Sequence, residues 1–168
     1  MLNNRILFLL LFSFLLFGCN QNKIIVVNPP VPYGEMYIYE NTATTTISSS
    51  GKWHNITANV ISGQLTGFVG GGGLIAEIGG IYKGDYSLSF IGVADTDFDF
   101  TIGINGYNLT NCHSRTGYGD TGQKGNTGGS CMFSLSKDDN VTLMVLNLDN
   151  TNNIIAEEAN LNLLKIGD

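Results

Sequence analysis

Two histidines, three cysteines and a run of aspartates are the groups in this 168-residue chain that could do chemistry. Cys112 and His113 are adjacent, which raises a thiol–imidazole pair. Nucleophilic catalysis needs the nucleophile within reach of its base. Neighbours along a strand point to opposite faces, so these two do not meet, and Cys112 is better matched by Cys131. No catalytic residue is assigned, and the chain reads as non-enzymatic. Asp95, Asp97 and Asp99 in DTDFD present carboxylates at alternate positions, as calcium ligands on one face do, and Asp138-Asp139-Asn140 could join them. Phe98 stands where an EF-hand would continue with ligands, and acidic turns are ordinary. The triplet is a weak calcium candidate, and no cofactor is expected.

The polar side chains Tyr107, Asn108, Asn111, His113, Arg115 and Tyr118 fall together in loop-rich sequence. Such a mixture suits contact with a protein or glycan ligand, although any exposed β-loop has a similar composition. Trp53 and Tyr82 read as core or subunit-interface aromatics rather than as a sugar platform. The glycine-rich stretch GDTGQKGNTGG, 119–129, contains with Gly117 a literal G-x-G-x-x-G. A phosphate cradle needs a helix after those glycines, but Cys131-Met-Phe-Ser-Leu-Ser is strand sequence. Glycine also recurs every third residue there, yet a few triplets without proline do not make a collagen helix. What remains is a mobile Gly/Thr loop between two strands, with Cys112 near its entry and Cys131 near its exit.

The chain's beginning sets the context for those cysteines. MLNNRILFLLLFSFLLFGCN has one Arg, then an apolar run from Ile6 to Phe17 broken by Ser13. That is short for a membrane span, which takes about 20 residues, and suits a secretory signal. Leu16-Phe17-Gly18-Cys19 resembles the bacterial lipoprotein signal, with Phe17 departing from the usual small residue; the resemblance implies that Cys19 carries lipid. Removing 18 of 168 residues leaves 150, enough for one domain with a core. In an exported protein the two remaining cysteines, Cys112 and Cys131, read most simply as a disulfide. It would close about 18 residues and stabilise by roughly 3 kcal/mol; two buried thiols are the alternative. There is no C-x-x-C, so neither zinc nor redox catalysis is favoured. Arg5 lost, 7 basic and 14 acidic side chains remain, which argues against nucleic acid as a partner. Residues 19–34 form a Pro-rich tether with Pro29, Pro30 and Pro32.

From residue 35 onward alternation replaces helical periodicity. Phe98, Phe100, Ile102 and Ile104 take every second place, and Asn105-Gly106 supplies a hairpin turn. Tyr86, Leu88 and Phe90 alternate with serines. Val141–Leu146 is apolar on both faces, as in a strand between two layers. Gly70–Gly73, Gly79-Gly80, Lys137–Asn140 and Asp149–Asn153 are turn sequence. The expected strands lie at about 35–40, 43–48, 53–60, 65–69, 73–78, 81–94, 97–105, 108–115, 130–137, 141–148 and 155–166, nine or ten once early ones merge. This is an all-β, antiparallel β-sandwich or barrel.

The succession GEMYIYENTATTTISSSGKWHNIT, GGIYKGDYSLSF, FDFTIGINGYN, FSLSKDDNVTLMVLN and EEANLNLLKIGD resembles the TNF-like jelly roll, the fold of complement globular heads and of many phage and bacterial surface proteins. The resemblance covers 35–168. It implies a homotrimer, and together with the leader it implies a domain held at the bacterial cell envelope by acyl chains on Cys19. A phage virion protein, a fibre or decoration domain, is the alternative, although phage members usually lack a signal peptide.

Overall fold

The structure is a computed structural model that describes residues 29–93, 95–118 and 122–168. The expected signal sequence and the expected lipidation site, Cys19, lie outside the described residues. Twelve strands and no helix are present among the residues described: β1 (Tyr33–Ile38), β2 (Trp53–Asn55), β3 (Val60–Thr66), β4 (Phe68–Gly70), β5 (Leu74–Ala76), β6 (Gly80–Ile91), β7 (Thr96–Ile104), β8 (Tyr107–Asn108), β9 (Ser114–Tyr118), β10 (Lys124–Leu135), β11 (Asn140–Asn147) and β12 (Ile155–Gly167). They form two antiparallel sheets, a jelly-roll sandwich. One sheet has five strands in the order β10-β6-β12-β1-β3. The other has seven, in the order β4-β5-β11-β7-β8, with β2 also pairing β11 and β9 also pairing β7.

Alternation builds the core. Phe98, Phe100 and Ile102 of β7 point inward and are fully buried, as are Phe90 of β6 and Leu161 and Leu163 of β12. Phe90 lies 4.7 Å from Phe100 and 5.7 Å from Phe98, ring centre to ring centre. Asn105 and Gly106 both take positive φ, 52° and 82°, the conformation of a type I′ hairpin turn. β11 is apolar on both faces for a reason the main core does not supply. Val141, Leu143 and Val145 belong to that core, whereas Met144 and Leu146 face the other way and are still buried.

Several boundaries differ from the expected ones. The expected strand at 43–48 is a single bridge, Thr45 to Ile154. The 53–60 segment keeps only its first three residues as β2, and β3 was not anticipated over most of its length. The 108–115 segment divides into β8 and β9. Tyr33 and Gly34, assigned to the tether, already pair with Leu164 and Leu163. The largest correction concerns the glycine loop: Lys124–Leu135 is one continuous twelve-residue strand, paired along its whole length with β6. Two of its glycines are there for contact. A Cβ on Gly129 would come within 2.7 Å of the Tyr86 ring, and one on Gly128 within 2.7 Å of the Tyr86 carbonyl oxygen, so only glycine lets β10 lie this close to Tyr86.

The two ends of the sandwich differ. At one, Lys165 N–H donates to the Pro32 carbonyl at 3.0 Å, and Pro29–Pro32 lie against Lys165, Gly167 and Asp168. At the other, the turn after β11 is held by Asn147, whose Oδ1 accepts from the backbone of Asp149 and of Asn150, both at 3.0 Å.

Candidate functional site

The anticipated contact residues gather on the outward side of the seven-stranded sheet. Register places Trp53 of β2, Leu146 of β11, Asp99 of β7 and Arg115 of β9 in one row across it. Arg115 grips Asp99 with two hydrogen bonds, Nε to Oδ1 at 3.1 Å and Nη2 to Oδ2 at 3.0 Å. The Asp99 side chain is 8% exposed and that of Arg115 is 59% exposed, so a carboxylate taken out of water is matched by a forked partner. The Asp99 hydrogen bonds, and then its charge, hold the Arg115 proton more tightly than usual.

The segment after β8 is folded over this face and fastened at several points. Leu109 N–H donates to the Ile102 carbonyl at 3.0 Å, and Thr101 Oγ1 donates to the Leu109 carbonyl at 2.8 Å. Asn111 Nδ2 donates to the Met132 carbonyl of β10 at 2.9 Å. Cys112 and Cys131 form a disulfide with their Cα atoms 5.4 Å apart. The Tyr86 hydroxyl lies 3.0 Å from the carbonyls of both Phe100 and Cys112. Burial, and then the charge of Asp99, push the Tyr86 phenol up to about 12.

This anchoring sets His113 against Trp53, with ring centres 4.8 Å apart and planes tilted by 55°. Asn108 Nδ2 lies 3.3 Å from His113 Nε2; with the amide as donor, the imidazole proton is on Nδ1. Tyr107 is exposed beside the turn, and Tyr118 ends β9, its backbone opposite Thr96. Of the six expected contact residues, then, Arg115 is committed to Asp99 and Asn111 to the loop's own anchoring, whereas Tyr107, Asn108 and His113 present polar groups outward. Trp53 is the partner that sequence reasoning left out of this group; it is 60 residues from His113, beyond any local pattern. The aspartates do not converge. Asp99 turns to Arg115, the Asp97 backbone N–H is bound by Asp149 at 2.7 Å, and no group of three or more possible metal-binding side chains forms among the described residues.

A second feature lies on the outward side of the five-stranded sheet. A groove of about 480 Å³ runs across four strands, lined by Glu35, Tyr37, Tyr39, Ser87, Ser89, Asn126, Glu158 and Asn160 among others. Beside it a polar ladder crosses β1 and β12: Tyr33 OH donates to Asn162 at 3.2 Å, Asn162 Nδ2 to Asn160 Oδ1, and Asn160 Nδ2 to Glu35 at 3.4 Å. Its signal in the sequence was the outward-facing set Glu35, Tyr37 and Tyr39, interleaved with buried Met36 and Ile38.

The fold so described is the TNF-like jelly roll shared by TNF ligands and complement globular heads. The solved structures that resemble it include the Eiger TNF of S. frugiperda, with 12% identity over 82% of this chain and 94% of that one at a TM-score of 0.55. Murine APRIL aligns at 13% identity over 80% and 99% of the two chains, TM-score 0.53. The globular domain of zebrafish complement 1qA aligns at 14% identity over 82% and 98%, TM-score 0.50. No protein-family model and no curated protein sequence matches the chain.

Proposed function

We propose that this protein is a non-enzymatic, envelope-anchored lipoprotein that displays a TNF-like jelly roll as a homotrimer, for binding or for a structural role at the bacterial surface. The observation that carries the assembly is where exposed apolar side chains lie. Tyr37, Ile61, Ile81, Met132 and Leu164 all point outward from the five-stranded sheet and are exposed, and Tyr39 lines the groove beside them. The outward side of the larger sheet exposes only Val69 and Tyr107 of this kind from its described strands. Two groups of exposed apolar side chains, Tyr37 with Ile61 and Ile81 with Met132 and Leu164, flank the polar row of Glu35, Asn162 and Asp85. Such a concentration on one face of a small domain marks an interaction site, and a face that is the same on every copy supports a closed rotational assembly. The Trp53–His113 face stays outside such an assembly and is the surface left for a ligand.

Anchoring rests on Leu16-Phe17-Gly18-Cys19 after the apolar leader. Metabolic labelling with a radioactive or clickable fatty acid tests it. Label is expected in the wild-type protein and absent from Cys19→Ala. An unlabelled, unprocessed chain, or recovery of the protein in purified virions, overturns the envelope reading.

A further inference from the structure

The groove on the five-stranded sheet is lined by two carboxylates, and among the described residues no cation forms an ion pair with either. Glu35 accepts only long hydrogen bonds, from Asn160 Nδ2 at 3.4 Å and from the Gln64 backbone at 3.5 Å. Glu158 is exposed at the groove's other side. Every lysine near this face is engaged elsewhere: Lys83 with Asp85 at 3.0 Å, Lys124 with Glu157 at 2.8 Å, and Lys165 with Asp168. Tyr33, Tyr37 and Tyr39 complete the titratable groups on β1 and just beyond it; β3 contributes none, and Glu40 follows Tyr39.

We propose that Glu35 and Glu158 make self-association through this face sensitive to pH, so that copies associate weakly when both are ionised and tightly when they are protonated. The inference rests on the assembly proposed above and concerns its regulation. A second copy seated on the groove displaces its water. An ionised carboxylate deprived of water and given no counter-charge is unstable, and symmetry brings the same carboxylates of every copy to the shared interface. Asp85 is not the responsive group. Its hydrogen bond from Ser130, followed by those from Lys83, keeps its carboxyl below the usual range, so it stays ionised in mild acid. Lys124 acts on Glu158 only through its charge, from a position already paired with Glu157.

The sign follows from proton linkage. The assembly binds more protons than its free copies, so the association constant rises as pH falls through the carboxylate range. Each carboxylate that holds its proton tenfold more tightly in the interface contributes up to about a tenfold change.

Sedimentation velocity of the full chain in detergent, at pH 7.5 and pH 5.0, reads this directly. Association at least tenfold tighter at pH 5.0 is expected. The Glu35→Gln/Glu158→Gln variant should already associate tightly at pH 7.5 and lose most of the pH dependence, with an unchanged circular dichroism spectrum. An oligomer of equal strength at both pH values, or a variant that behaves as wild type, overturns the role of the carboxylates while leaving the assembly standing. A monomer under all conditions, variant included, overturns the assembly itself and this inference with it.

Discussion

Removing the Cys112–Cys131 bond, by reduction or by Cys112→Ala/Cys131→Ala, tests how the loop over the larger sheet is held. The bridged residues are 19 apart. The chain-entropy relation then gives a destabilisation of roughly 3 kcal/mol. With a urea m-value of about 2 kcal/mol/M, the unfolding midpoint should fall by about 1.5 M. The folded state should persist, because Asn111, Tyr86 and the Thr127–Ser114 hydrogen bond at 2.6 Å still tie the loop to its neighbours. The assay has a built-in reporter: Trp53 is the chain's one tryptophan, and it packs on His113, next to Cys112. Its emission in the absence of urea should be unchanged after bond removal, whereas the transition moves to lower urea. An unmoved midpoint, or two titratable thiols in the unfolded but unreduced protein, refutes the reasoning.

Two further outcomes follow from Tyr86 and its surroundings. Its folded value of about 12 lies above the ordinary 10.0, so its contribution is complete below about pH 10 and is lost as pH rises towards 12. Alkaline stability measurements should show a loss on the order of 2–3 kcal/mol over that window, and Tyr86→Phe should remove it. Gly129→Val should cost about 1–3 kcal/mol by denaturant titration, because the new side chain runs into the Tyr86 ring. Gly71→Ala, whose added carbon meets nothing closer than 4.0 Å, should stay within about 0.5 kcal/mol of wild type.

The parts of the fold that were legible in the sequence are those whose side chains carry the alternation. β6, β7 and β12 announce themselves because large apolar residues fill one face and polar or small ones the other, and β11 because both of its faces are largely apolar. β3 is silent because it is an edge strand: Val60–Thr66 has no consistently buried side, and Ser62, Gly63 and Gln64 dilute the pattern. β10 does alternate between exposed and buried positions, but Gly125 and Gly129 hold two of the three inward places before Cys131, and at Gly129 the Tyr86 ring fills the space a side chain would take. A hydrophobic pattern cannot reveal a strand whose partner supplies the bulk. The site divides in the same way. Residues 107–115 were recognisable as one polar segment, whereas Trp53 reaches it only through the pairing of β2 with β11, and the groove needs four strands side by side before it exists.

The packing of Pro29–Pro32 against Lys165, Gly167 and Asp168 decides which way up the molecule stands. Both ends of the folded chain leave from one pole, and β12 runs 13 residues from there, about 40 Å at the usual rise per residue. A chain tethered through its N-terminus therefore stands on that pole and lifts the turn held by Asn147 farthest from whatever it is tethered to. A passenger fused after Asp168 would start from the same pole as such a tether. The same passenger spliced into the Asp149–Asn153 turn would be carried at the summit, in the open.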